Sequence, residues 1–414
     1  MQGIIDFLVG LNIPLINAGV AKLIVYLVMA GVVAVAAPAM LIVLTWLERK
    51  IIARIQDRIG PNRAGPFGWL QAVADMIKMF TKEDITPANA DRIVFNIAPG
   101  LAVFASIMAF AVIPFAPGFA GTRMNVGLLY LIAIGGLGTL AILMAGWSSN
   151  NKYAMLGAFR AVAMLLTYEI PMVMTLVVVA LVTGSMSMVD VVEAQRSMWY
   201  VVSLPLAFFI FLFAGIAEVG RSPFDLIEAE SEIIAGFHTE YSGMKFGLFM
   251  IAEYVHMFGL AFFISVLFLG GYQIPFIDVA ALPAPFAALL GLVSLIVKVF
   301  FFVFVMMWVR GTLPRFRIDH LLDFGWKFLV PLTLGLLIAV AVVVRLFSPG
   351  SSAIVPVDAG PLSGWGPAGE IVALLITNLV VAALAMAGVS ALARLSRSKA
   401  LRSVAAVEPV LPGK

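Results

Sequence analysis

The sequence predicts an all-α, polytopic membrane helix bundle, and three observations carry that expectation. Hydrophobic residues make up 62% of the 414-residue chain and charged residues 12%, whereas soluble domains run at about 45–50% and about 25%. The mean hydropathy is +1.07. Apolar runs of helical length recur nine times, at 20–47, 96–116, 127–148, 156–183, 199–219, 246–270, 286–309, 327–347 and 369–393. Each approaches or exceeds the roughly 20 residues needed to cross about 30 Å of hydrocarbon.

Composition also excludes several classes of function. With no cysteine, the chain has no disulfide, no thiolate zinc site and no cysteine-ligated iron–sulfur cluster, so any redox centre must belong to a partner. His238, His256 and His320 are far apart and show no ligand-type spacing, so no metal site is expected. The net charge of +3 is spread among membrane segments, which disfavours nucleic-acid binding. Residues 1–19 lack the basic stretch and small-residue cleavage site of a signal peptide, so the first span is expected to stay in the mature protein. Gly135, Gly136, Gly138 and Gly146 sit inside an apolar run and read as helix-packing notches, not a nucleotide loop. No serine–histidine–carboxylate set, HExxH or phosphate loop occurs in a suitable context, so the chain is not expected to catalyse alone.

Basic residues order the topology. Of the 26 lysines and arginines, 21 fall on one face of the nine-span arrangement, four (Lys22, Arg123, Arg196, Arg345) on the other, and Lys298 within a span. The positive-inside rule makes the rich face cytoplasmic, which puts the N-terminus outside and the C-terminus inside. The loop after the first span contains Gly65 to Lys82, where Leu70, Val73, Ile77 and Phe80 share one helical face and Gln71, Asp75, Lys78 and Lys82 another. This predicts an amphipathic interfacial helix, and the bland reading is one that only seals the bundle.

Glu169, Glu218, Glu253 and Lys298 lie within or at the ends of apolar spans, where a charge costs about 2.5–3.5 kcal/mol on insertion scales. Such residues normally face a bundle interior or a water cavity and mark proton or ion paths. The alternative is a Glu–Lys pair that fixes packing. The loop RSPFDLIEAESEIIAGFHTE, Arg221 to Glu240, crowds Asp225, Glu228, Glu230 and Glu232 into eight residues. On a helix Asp225, Glu228 and Glu232 share a face, and like charges this close are expected to hold protons in common and titrate as a coupled set. The alternative is a solvated acidic loop.

The loops themselves are similar to a known family. The segments ERKIIARIQDRIGPNR (Glu48 to Arg63), LQAVADMIKMFTKE (Leu70 to Glu83), SNNKY (Ser149 to Tyr153), Tyr168–Glu169, Arg221 to Tyr254 and WVRGTLPRFRID (Trp308 to Asp319) resemble, in order, the H subunit of respiratory complex I, the proton-pumping NADH:quinone oxidoreductase. The resemblance spans about residues 20–347. It implies an eight-helix membrane core with cytoplasmic loops at 48–95, 149–155, 220–245 and 310–326, and leaves 348–414, with the ninth span, as an extension. It also implies a subunit that anchors a soluble redox arm and forms part of a tunnel for quinone, the substrate. FMN and iron–sulfur clusters would lie in partner subunits, alongside small membrane subunits, pump modules and lipid. The Ala- and Gly-rich composition and internal membrane targeting point to a bacterial plasma membrane.

By the resemblance, Glu48, Arg49, Asp75, Arg221, Phe224, Asp225, Arg310 and Arg315 belong to the tunnel and the redox-arm interface. Glu83, Glu169, Glu218, Glu228, Glu230, Glu232 and Glu253 belong to a proton relay, to which the cost argument adds Lys298. Departures occur at Val219, Gly220 and Ile227, where the family commonly reads AETNRAPFDLPEAE, at His320, usually glutamine, and at Met164 and Thr167, usually glutamine and serine. Two rivals remain: a homologous subunit of a membrane-bound hydrogenase or deazaflavin-linked dehydrogenase, and a transporter working alone, which the lack of paired repeats disfavours.

Overall fold

The computed structural model describes residues 18–225, 234–275, 283–347 and 366–406. Long apolar sequence becomes helix because, in hydrocarbon, every backbone N–H and C=O has to be satisfied within the chain. The long helices are α1 (Ala18–Ile55), α3 (Arg92–Met108), α4 (Gly127–Ser148), α5 (Lys152–Thr183), α9 (Gly243–Phe268), α10 (Ala284–Thr312), α12 (Val330–Phe347) and α13 (Gly366–Ala406). Between them lie α2 (Gln71–Thr81), α6 (Met188–Ala194), α7 (Tyr200–Ser203), α8 (Pro205–Glu218) and α11 (Ile318–Phe324). A short hairpin pairs β1 (Pro114–Ala116) with β2 (Phe119–Ala120), antiparallel, beside α10.

Among the described residues, eight helical segments are long and apolar enough to span a bilayer, and α8 is a shorter ninth. The expected run 199–219 is broken at Leu204 (φ −126°, ψ 53°), where Pro205 starts a new helix. The 14 residues of α8 reach only roughly 21 Å at 1.5 Å per residue. The expected loop boundaries also move. Past Glu48 α1 continues to Ile55, and Asp57, with φ 51°, lies just beyond its end. The expected start at residue 327 moves back to Ile318, because α11 runs into α12 through a π-helical turn, Gly325–Leu329.

Caps fix several ends: the Asp91 carboxylate accepts from Ile93 N–H at 3.2 Å and the Asn151 side-chain amide oxygen from Tyr153 N–H at 2.9 Å. Helix α9 is the axis of the bundle. In its most apolar stretch 83% of residues are buried, against 17% in α1 and 11% in α13, which therefore lie at the periphery. Small residues bring α4 and α5 together, for a Cβ on Gly146 would collide with Ala158. In α2, Ala72 is buried while Ile77, Phe80 and, at the N-cap, Leu70 remain exposed, and Met79 lies against Gly247 of α9. Most of the expected apolar stripe of this helix thus points away from the bundle.

Candidate functional site

Four helical elements deliver a buried charge cluster. Glu48, 4% exposed, is the hub near the end of α1. Arg221 follows α8, and its Nη1 donates to Oε2 of Glu48. Arg310, near the end of α10, donates from Nη1 to Oε1 of Glu48. Arg221 also donates from Nε to Oε1 of Glu253 on α9 at 2.7 Å, and its guanidinium lies 4.1 Å from the centroid of the Tyr254 ring. Two carboxylates thus face two guanidiniums and the cluster is electrically balanced. Burial alone would lower the basicity of Arg221, but Glu253, Glu48 and Tyr254 outweigh it and push its pKa up.

Around this hub the remaining expected tunnel residues take distinct places. Arg49 meets Asp75 at 2.6 Å, tying α1 to α2, and Gln71 donates to Asp75 at 3.2 Å. Trp46 Nε1 donates to the Phe67 carbonyl at 3.1 Å, and its ring lies 5.0 Å from that of Trp69. The turn carrying Phe67 requires Gly68, whose φ is +77° and whose Cβ would strike the Pro61 carbonyl. Phe224 is buried between Tyr168, at 5.4 Å, and Phe316, at 6.2 Å. The Phe316 N–H donates to the Pro223 carbonyl at 3.1 Å, which docks the segment carrying half-buried Arg315 against the Arg221–Asp225 segment. The Oδ1 of Asp225 is buried and has no hydrogen-bond partner among the described residues. Glu228, Glu230 and Glu232, and with them the expected acidic helix face, lie outside the described residues.

A second zone extends from Glu253 into the bundle. A cavity of about 110 Å³ is lined by Glu253, Glu218, His256 and His238 together with Ser106 and Thr139. Glu218, the last residue of α8, lies 3.6 Å from Nε2 of His256, oxygen to nitrogen. Gly135 of α4 lies against it, at a distance where a Cβ would make ordinary contact with Oε1 of Glu218. Glu169, half-buried on α5, is close enough to Glu218 for their charges to interact. Of the family departures, Met164 is buried, Thr167 accepts from Trp326 Nε1 at 3.1 Å, and His320 is exposed on α11. Burial pushes the His238 imidazole down to about 4, outside the spans, so it is neutral at physiological pH.

Two expected relay members stand apart. Glu83 is exposed, and among the described residues its backbone carbonyl accepts from Ser242 Oγ at 3.2 Å. Lys298 meets no carboxylate in the described structure. It donates at 2.8 Å to the carbonyls of Leu269 and Gly271 and also to that of Gln273, and sits 4.5 Å from the Trp199 ring centroid. Leu269 caps the C-terminus of α9 and Gly271 and Gln273 follow it, so Lys298 ties down the segment that leaves the helix. The alternative reading of a Glu–Lys packing pair is thus not formed by Lys298 among the described residues. Conversely, sequence reasoning missed His256. The signal was its spacing of three from Glu253, which puts both on one face of α9.

An all-α bundle of apolar spanning helices, with ionised and ionisable groups buried inside it, defines a multi-pass membrane protein. A family model described as NADH dehydrogenase matches residues 27–341, and the chain belongs to that family. It is 49% identical over 300 residues to the NADH-quinone oxidoreductase H subunit of Dehalococcoides mccartyi (strain CBDB1), covering 72% of this chain and 81% of the relative. The H subunit of Geobacillus kaustophilus is 48% identical over 301 residues, with 72% and 88% covered. That of Paramagnetospirillum magneticum is 43% identical over 345 residues, with 83% and 98% covered.

Proposed function

We propose that this chain is the membrane subunit of a proton-translocating NADH-quinone oxidoreductase that forms part of the quinone tunnel and of the acidic relay leading from it. The observation that carries this reading is the continuity of the Glu48–Arg221–Arg310–Glu253 cluster with the Glu218 cavity, because Glu253 belongs to both. FMN and iron–sulfur clusters reside in partner subunits of the soluble arm, and the chain also contacts small membrane subunits and pump modules. The charge-cluster end faces the cytoplasm of a bacterial plasma membrane, with the C-terminus inside and the N-terminus outside.

In this reading Arg49, Asp75, Phe224, Asp225 and Arg315 line the tunnel or the interface with the redox arm around the cluster. Quinone reduction consumes protons and changes the charge of Asp225, Glu228, Glu230 and Glu232. The balanced cluster answers such a change sharply, because buried charges are poorly screened. Glu253, Glu218 and Glu169 then carry the change inward, and Glu83 sits at the cytoplasmic entry.

The test uses the assembled complex in membrane vesicles. Replacing Glu228→Gln together with Glu232→Gln is expected to depress NADH-driven quinone reduction and proton pumping together, with assembly intact. Normal turnover and pumping in that variant would exclude the relay. Phe224→Ala is expected to raise the KM for quinone more than it lowers kcat.

A further inference from the structure

His256 occupies a position that the acidic path described above does not explain. Its ring lines two cavities, the one that reaches Glu253 and His238 and a second of about 50 Å³ bounded by Leu131, Met172, Phe211 and Phe263. The ionisable side chains common to both are Glu218 and His256. The second cavity brings no other ionisable group among its described residues. Among the described lining residues, this pair is therefore the ionisable link between the two cavities.

We propose that His256 is a proton-carrying residue between Glu218 and the deeper cavity, an inference that rests on the relay reading above. Imidazole suits the task because one ring nitrogen can accept a proton while the other donates one. The separation of 3.6 Å between Nε2 and Glu218 Oε1 exceeds a hydrogen bond, so transfer takes a small side-chain shift or one bridging water. Either cavity has room, since a water needs roughly 10–15 Å³ of such space. In the step, the O–H bond of the Glu218 carboxyl breaks as an N–H bond forms at Nε2, leaving a carboxylate beside an imidazolium. The imidazolium then gives the proton on its other nitrogen to a water in the deeper cavity, forming a hydronium there, and the ring returns to neutral; that cavity, of about 50 Å³, has room for the water. The charged or titratable groups facing the pair are Glu253 on the same helix, His238 from the 236–238 turn and Glu169 from α5. Helices α3 and α4 bring only the hydroxyls of Ser106 and Thr139 among their described residues in the first cavity.

The experiment compares wild type, His256→Gln, His256→Asn and Glu218→Gln in the assembled oxidoreductase in native membranes. Both His256 variants keep a hydrogen-bonding side chain of different length but cannot carry a proton. The expected result is a loss of about a hundredfold in coupled quinone reduction and pumping, a pH profile that loses one ionisation, and unchanged quinone-independent NADH oxidation. If both variants keep the wild-type rate and pH profile while Glu218→Gln is impaired, the inference fails and the relay stands. If Glu218→Gln is also unimpaired, the relay itself fails.

Discussion

The Arg310 guanidinium is bound to the Glu48 carboxylate across 262 residues of sequence, closing α10 onto α1 through a buried charge that Arg221 shares. Removing the hub leaves two arginines with only Glu253 to balance them. Breaking a buried pair in this way costs about 3–5 kcal/mol. Glu48→Gln is therefore expected to lower the thermal midpoint of the detergent-purified complex and to abolish most quinone reduction. The double variant Glu48→Gln/Arg310→Gln restores charge balance and is expected to melt above the single one. A double variant less stable than the single would show that the arginines matter for packing more than for charge.

Gly157 decides how closely the loop after residue 233 approaches α5. A Cβ there would lie 2.7 Å from the Gly236 carbonyl carbon and 2.9 Å from the Phe237 nitrogen, both backbone atoms. Gly157→Ala is expected to displace the turn that carries His238 and to cost about 1–3 kcal/mol. Hydrogen exchange at residues 236–242 should accelerate. Gly136→Ala, where nothing lies within 4 Å, is the control and should leave exchange unchanged.

Much of this architecture is legible in the sequence, and the exceptions share a cause. Spans show because length and hydropathy are local properties, and even the broken span carried a local sign in Pro205. Partnership is not local. The insertion cost of Lys298 marks it as a charge in need of partners, and these are the carbonyls of Leu269, Gly271 and Gln273 at and beyond the end of α9, which no charge pattern displays. Glu48 and Arg310 enter the candidate site only through the resemblance of their loops. The exposed stripe Leu70, Ile77 and Phe80 was visible as an amphipathic pattern, but which way it faces depends on Met79 and Ala72 packing inward.

His238 makes stability depend on pH. Its folded pKa of about 4 lies below the ordinary 6.5 because burial penalises the charged form, so the unfolded chain binds the proton more readily. The contribution is complete above about pH 6.5 and is lost as the pH falls toward 4, by up to about 3 kcal/mol. His238→Phe, set among Phe237 and Phe246, is expected to shrink the drop in thermal midpoint between neutral and acidic buffer. An identical drop in both proteins would show that other groups govern the acid response.

Asn378 tests how α13, beyond the residues matched by the family, is held. It is fully buried, its Nδ2 donates to the Leu374 carbonyl of its own helix at 3.0 Å and to the Ser203 carbonyl of α7 at 3.5 Å. Its Oδ1 has no partner among the described residues. An unsatisfied buried acceptor costs about 1–3 kcal/mol, more than the long bond to Ser203 returns. Asn378→Leu, of similar volume, is therefore expected to leave quinone reduction unchanged and to hold or raise the thermal midpoint. A lower midpoint would mean that the bond to Ser203 fastens α13 at the break between α7 and α8, where the short span leaves the bundle flank needing cover.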